Sequence, residues 1–380
     1  MITINQNFDS GNIEIIDLQN PENIQLNIRR DRDSEFFQWF HFRLLGAKGQ
    51  SCRMRLMNAS EAAFPGGWEN YHAVASYDRQ EWFRVESHYD GKELVIEHQP
   101  EVDSIYYAYF APYSWERHQD LVSWTQQSPL CQLHSLGRTL DGHDVDLLKI
   151  SEEQGAEQSE KRKIWITARQ HPGESMAEWF MEGVIGRLLD PADPVARLLL
   201  QNADFYLVPN MNPDGSIRGH LRTNAIGVNL NREWHAPSLE RSPEVFCVME
   251  KMIQTGVDLF LDVHGDEALP YNFVAGCEAN PGYSQRISSL EEMFKSHYML
   301  ASPDFQVEQG YGKSKFGEET LTLACNQVGQ RFDCLSFTIE MPFKDNADHP
   351  DPVQGWSPER SQKLGEAVLQ PILAVIDQVR

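Results

Sequence analysis

The sequence predicts an α/β fold: a mixed β-sheet flanked by helices on both faces, preceded by an antiparallel β-sandwich domain. Three observations lead there. Residues 1–127 carry short alternating runs, such as Ile13-Glu14-Ile15-Ile16 and Glu93-Leu94-Val95-Ile96-Glu97, with no long helical period between them. Residues 132–150 hold two strand-like runs around Asp141-Gly142, a favoured hairpin turn. From Ile164 onward, apolar strands alternate with amphipathic helices, the pattern of a sheet covered on both sides.

Taken in order, the first region contains the run Phe36–Leu44, and turns at Asn20-Pro21, Pro65-Gly66-Gly67 and Asp90-Gly91 punctuate it. A helix starts near Asp120–Trp124. Residues 128–380 then form the second domain. The hairpin pairs Gln132–Gly137 with Val145–Ile150, and the acidic, Gln-rich stretch 152–161 is a solvated loop. Strands are expected at Ile164–Ala168, Asp204–Pro209, Gly256–His264 and Leu335–Glu340. Helices are expected at Met176–Leu189, Pro194–Gln201, Ser242–Thr255, Ser284–Tyr298 and Ser357–Arg380.

Composition narrows the partners. The 380 residues carry a formal net charge of −23, which argues against nucleic acid and against an acidic membrane surface, since both require a basic face. No apolar run approaches the roughly 18 residues of a transmembrane helix. The N-terminal residues lack a basic region followed by an apolar core, so a cytoplasmic location is expected. The six cysteines form no Cys-x-x-Cys pair, and reduced, mostly buried thiols are their expected state.

The chemistry gathers around Gln170-His171-Pro172-Gly173-Glu174-Ser175, between a buried strand and a helix. An imidazole and a carboxylate three residues apart at a helix start point to one side, as half of a zinc site would. The same spacing recurs at His98/Glu101 and His264/Glu267, so context singles out the first copy. A third ligand is offered by His264, which ends the apolar run Gly256–His264 and precedes Gly265. Read alone, His264 is a hydrogen-bonded strand-end histidine. Paired with His171 and Glu174, it completes a two-His, one-carboxylate set with an open position for chemistry. Glu340 ends the polar side of the strand Leu335–Glu340 and suits a general base. Between the histidines, Arg222, Asn231 and Arg232 concentrate guanidinium and amide donors that match a carboxylate or an oxyanion.

His-Pro-Gly-Glu, Asn-Pro-Asp-Gly, Gly-Val-Asn-Leu-Asn-Arg-Glu-Trp, Asp-Val-His-Gly and Phe-Thr-Ile-Glu occur in this order, from His171 to Glu340. Together they resemble the M14 zinc metallocarboxypeptidases. Gln38-Trp39-Phe40-His41-Phe42 and Tyr109-Phe110-Ala111-Pro112-Tyr113-Ser114 are similar to stretches of the cytosolic carboxypeptidase branch. The resemblance implies one Zn²⁺ per chain on His171, Glu174 and His264, with Glu340 as base to a zinc-activated water. It implies that Arg222 polarises the scissile carbonyl and that Asn231 and Arg232 grip the C-terminal carboxylate. The substrate would be a peptide or protein C-terminus. Deglutamylation is one of the activities in that branch, and side-chain preference and oligomeric state stay open.

Three positions depart from the family pattern. Asn229 stands where the family usually has an Asp that orients the first zinc histidine, so zinc binding is expected to survive in weakened form. No Tyr occurs between Gly312 and Glu340, and Tyr311, the nearest, is not assigned a role. Leu321, beside Glu318 and Glu319, aligns with the Arg of members that remove glutamate. Two rivals remain: a zinc deacylase of N-acyl amino acids on the same scaffold, and a non-catalytic binding protein.

Overall fold

A computed structural model describes residues 1–152, 160–312, 315–317 and 319–379. The expected loop at 152–161 therefore falls mostly outside the described residues, as does Glu318.

Residues 3–108 form two five-stranded sheets. One contains His41–Leu45 and Ser104–Ala108 and the other contains Ile24–Asn27, Cys52–Leu56 and Leu94–His98. Strand pairing is antiparallel except between Ile24–Asn27 and Cys52–Leu56, which run parallel. Phe42, Leu44 and Tyr107 from one sheet and Leu26, Met54 and Ile96 from the other enter one apolar core. The predicted strand at Phe36–Leu44 begins only at His41. Phe37 to Phe40 are all buried, so no alternation separates two faces there. The Gln38 amide substitutes for a ladder: its Nε2 donates to Phe64 O at 3.0 Å, and its Oε1 accepts from Phe64 N at 2.9 Å.

Residues 131–340 form a seven-stranded sheet. Its spatial order is Cys131–Arg138, Asp144–Ile150, Ala203–Val208, Arg162–Ala168, Leu259–Val263, Leu335–Glu340 and Phe273–Ala275. The four strands from Ala203–Val208 to Leu335–Glu340 are mutually parallel, and the remaining pairs are antiparallel. Gly142, at φ +92°, makes the hairpin turn that the Asp-Gly pair predicts.

Alternate strand residues face two cores. Ile164, Ile166, Leu259 and Leu261 pack with helices Met176–Leu188, Pro194–Asn202, Pro358–Ala367 and Leu369–Val375. Trp165, Tyr206 and Phe260 pack with Pro243–Thr255 and Ala324–Phe332 on the other side. Helices thus cover both faces, as the sequence predicts.

The closing helix is two helices, broken at Val368. Pro371 causes the break, because it has no N–H for the carbonyl of Ala367 and its ring crowds that turn. At Trp115–Thr125 the helix starts five residues before the predicted position, where the Ser114 hydroxyl caps Arg117 N at 3.1 Å.

From Arg162–Ala168 the chain first crosses to Ala203–Val208 on one side, then returns to Leu259–Val263 on the other. The carboxyl ends of Arg162–Ala168 and Leu259–Val263 therefore flank a reversal of strand order, where open α/β sheets form their ligand crevice.

Candidate active site

The strand Arg162–Ala168 runs out into Arg169, which takes a left-handed backbone (φ +58°) despite its side chain. Such a conformation in a non-glycine residue costs on the order of 1 kcal/mol. The buried guanidinium offsets that cost. Its Nε donates to Pro172 O at 2.9 Å, its Nη1 to Tyr113 O at 2.8 Å, and it pairs with Glu178. The following turn throws His171 and Glu174 into the crevice. They lie in tight turns that precede the helix at Met176, not in its first turn, with Glu174 N donating to His171 O at 3.1 Å. The three-residue spacing still brings the side chains together, with His171 Nδ1 2.7 Å from Glu174 Oε1.

His264 arrives from the neighbouring strand, Leu259–Val263. Its Nδ1 lies 2.8 Å from Glu174 Oε2 and 3.2 Å from His171 Nδ1. A Cβ on the next residue, Gly265, would stand 2.6 Å from Met176 Sδ, so glycine lets the chain pass without moving that side chain. His171, Glu174 and His264 are the one group of at least three His, Cys, Asp or Glu residues among the described residues whose ligand atoms could hold a metal ion.

Each imidazole is oriented from behind. His171 Nε2 faces Asn229 Oδ1 at 3.0 Å, an oxygen that also accepts from Asn231 N at 3.0 Å. His264 Nε2 faces Asp262 Oδ2 at 2.7 Å. Asp262 in turn accepts from Thr167 Oγ1 at 2.8 Å and Gln170 Nε2 at 2.6 Å, and Trp234 Nε1 donates to Gln170 Oε1 at 2.8 Å. Facing oxygens on both Nε2 atoms leave the two Nδ1 lone pairs and the Glu174 carboxylate converging. With neutral rings, the buried carboxylates of Glu174 and Asp262 give the cluster two negative charges. The donor set and the charge both fit a divalent cation with N/O ligands. The two histidines titrate in opposite directions. Burial lowers the His171 pKa to about 4, helped by the Arg222 charge. For His264, burial acts in the same direction but Asp262 and Glu174 outweigh it, and its pKa rises well above the usual value.

Glu340 ends the next parallel strand and faces the same cleft, of about 1260 Å³, as do Arg222, Asn231 and Arg232. Its Oε1 lies 2.9 Å from the Tyr311 hydroxyl, and its buried Oε2 has no hydrogen-bond partner. Burial, then the negative charges of Glu174 and Asp266, push its carboxyl well above the ordinary range against the opposing pull of His264. Tyr311 also faces Asp266 Oδ2 at 2.9 Å, so one phenolic proton serves two carboxylates. In the same cleft, Asn231 Oδ1 accepts from Ala324 N at 2.8 Å, and Arg232 Nη1 donates to Asn231 O at 2.7 Å. Arg222 lies between the Phe36 and Phe64 rings, 5.5 and 5.3 Å from their centroids.

All seven residues singled out in the sequence therefore line one cleft. Sequence reasoning left Tyr311 without a role, because its loop position carries no periodic signal. It passed over Asp262, although an acid two residues before His264 in an otherwise apolar strand shares that histidine's face. Leu321 lies in the turn Thr320–Thr322, which borders the cleft through Glu319 and Thr320.

Comparison with known proteins bears on this geometry. A family profile described as zinc carboxypeptidase matches residues 121–363, and one described as the cytosolic carboxypeptidase N-terminal domain matches residues 4–110. The chain belongs to the M14 zinc carboxypeptidase family. It is similar to a metallo-carboxypeptidase of Burkholderia cenocepacia, with 51% identity and a TM-score of 0.97 over 99% of this chain and 100% of that one. A Pseudomonas aeruginosa metallo-carboxypeptidase, solved with (2-guanidinoethylmercapto)succinic acid, is 48% identical, with a TM-score of 0.96 over the whole of both chains. Cytosolic carboxypeptidase 6 of Caenorhabditis elegans is 25% identical over 96% of this chain and 85% of its own. The M14 chain is thus a metallocarboxypeptidase, an enzyme with a peptide substrate. No helix among its described residues is long and apolar enough to cross a membrane.

Proposed function

We propose that this carboxypeptidase removes the C-terminal residue of peptides or proteins, using one Zn²⁺ held by His171, Glu174 and His264. The observation that carries this is the convergence of two imidazoles and a carboxylate beside Glu340, in a cleft also lined by Arg222 and Arg232. When bound, zinc would acidify a water and polarise the scissile carbonyl. The remaining steps belong to side chains. Glu340 Oε2, the oxygen without a partner, takes the proton of the attacking water and returns it to the leaving amine. Arg222 stabilises the oxyanion as it develops. Asn231, its carbonyl oxygen tied to Ala324 N, offers Nδ2 to the substrate carboxylate, and Arg232 provides a bidentate partner. Tyr311 steadies Glu340 through Oε1.

We place the domain boundary at 127/128. A cytoplasmic location fits the names of the relatives and the six free thiols. Side-chain preference is left to the part of the cleft lined by Ala275, Glu278, Lys295, Cys325, Asn326 and Thr338. Lys295 there lies 3.7 Å from both Glu278 and Glu291, so its charge is already paired.

The test is a panel of peptides ending in each amino acid, with free or amidated C-termini, analysed by mass spectrometry. Loss of one residue from free C-termini and none from amides is expected, and the glutamate-ending peptides report on deglutamylation. Turnover of N-acyl amino acids alone would move the activity to a deacylase. No turnover at full zinc occupancy would favour the binding protein.

A further inference from the structure

We infer that Asp31, in the N-terminal domain, is a positioning residue for Arg222, so that this domain completes the active site. The inference rests on the oxyanion role proposed for Arg222. Asp31 is only 2% exposed, and its carboxylate is spent on one loop. Oδ1 accepts from Leu221 N at 2.7 Å. Oδ2 accepts from Arg222 N at 2.8 Å, Thr223 N at 2.9 Å and the Thr223 hydroxyl at 3.0 Å. Hydrogen bonds to an ionised acceptor are roughly twice as strong as neutral ones, and the three to backbone N–H groups hold the chain on both sides of the arginine Cα.

The same region grips the loop at further points. Ser10 N donates to Ile217 O at 2.9 Å, and Asn12 Nδ2 donates to Gly219 O at 2.8 Å. Arg32 N meets His220 Nε2 at 3.2 Å. At Gly227, with φ +80°, a Cβ would stand 2.4 Å from Asp33 O. Phe36 and Phe64 then confine the guanidinium itself. From the catalytic side, Gly173 N, inside the His171–Glu174 turn, donates to Leu221 O at 2.8 Å. The loop is thus fixed between the N-terminal domain and the metal cluster. A free arginine side chain carries about 2 kcal/mol of rotamer entropy. An oxyanion donor stabilises charge best when its position is set before the reaction.

The experiment uses the full-length, zinc-loaded chain and a peptide with a free C-terminus. Asp31→Ala, Asp31→Asn, Arg222→Ala and the Asp31→Ala/Arg222→Ala double variant are compared for kcat, KM, zinc content and melting temperature. Asp31→Ala should lower kcat about 10–100-fold, with KM within about threefold and zinc retained. Asp31→Asn, which keeps one acceptor oxygen and the shape, should lose less and serves if Asp31→Ala fails to fold. In the Arg222→Ala background, the Asp31 change should cost less than about twofold, because coupled residues are not additive. Additive losses, or a large Arg222→Ala effect with wild-type kcat in both Asp31 variants, would overturn the inference alone. Wild-type kcat in Arg222→Ala would overturn the oxyanion role and this inference together.

Discussion

The proposed metal cluster and the Arg222 loop line one cleft but are held in different ways. His171, Glu174, His264 and Glu340 stand at the ends of three adjacent parallel strands, so the sheet register brings them together. Arg222 sits on an irregular loop with no ladder of its own. A carboxylate 191 residues earlier, together with two phenylalanines, sets its place. Local motifs attached to a regular scaffold place the first group, whereas the second is held by contacts from the N-terminal region.

If the cluster is the chemical half, damage there should be the more severe. Glu340→Gln should keep zinc yet lose about 10²–10⁴-fold in kcat, measured on a free-C-terminus peptide alongside metal analysis. Asp262→Asn should weaken zinc about 10–100-fold in chelator competition, since the partner of a ligating histidine sets its basicity. Tyr311→Phe removes the hydroxyl that faces both Glu340 and Asp266 and should lower kcat by about tenfold with little change in zinc. Asn229→Asp should tighten zinc, by roughly tenfold or less in the same competition, because a carboxylate raises His171 basicity more than an amide does.

The smallest effect lies behind the loop. Glu244, beside Asn224, has its pKa raised by burial from 4.5 to about 8. It is therefore protonated in the folded chain where the unfolded chain is ionised. Its contribution to stability is complete below pH 4.5 and is lost as pH rises towards 8. Glu244→Gln should flatten the urea midpoint over that window, and an unchanged pH slope would place the titration elsewhere.

Legibility in the sequence follows the same division. The alternation after Ile164, the Asp-Gly hairpin and the strand-end histidines all have short-range physical causes, and each reads directly. The Phe36–Phe40 stretch misleads because burial on every side abolishes alternation, and a side-chain amide makes its bonds. The closing helix reads as continuous only if Pro371 is passed over. Asp31, Arg169 and Tyr311 have no local signal of their role: each acts on partners fixed by tertiary contact. Asp262 was legible, since a buried acid in step with His264 needs a partner.

Zinc per chain, measured by metal analysis on wild-type protein and on His264→Ala purified in parallel, tests the central claim most directly. One equivalent in the wild type and a loss of most of it in His264→Ala is the expected result. A full equivalent retained by His264→Ala, or none in zinc-supplemented wild type, would contradict the assignment of His171, Glu174 and His264 as the metal site.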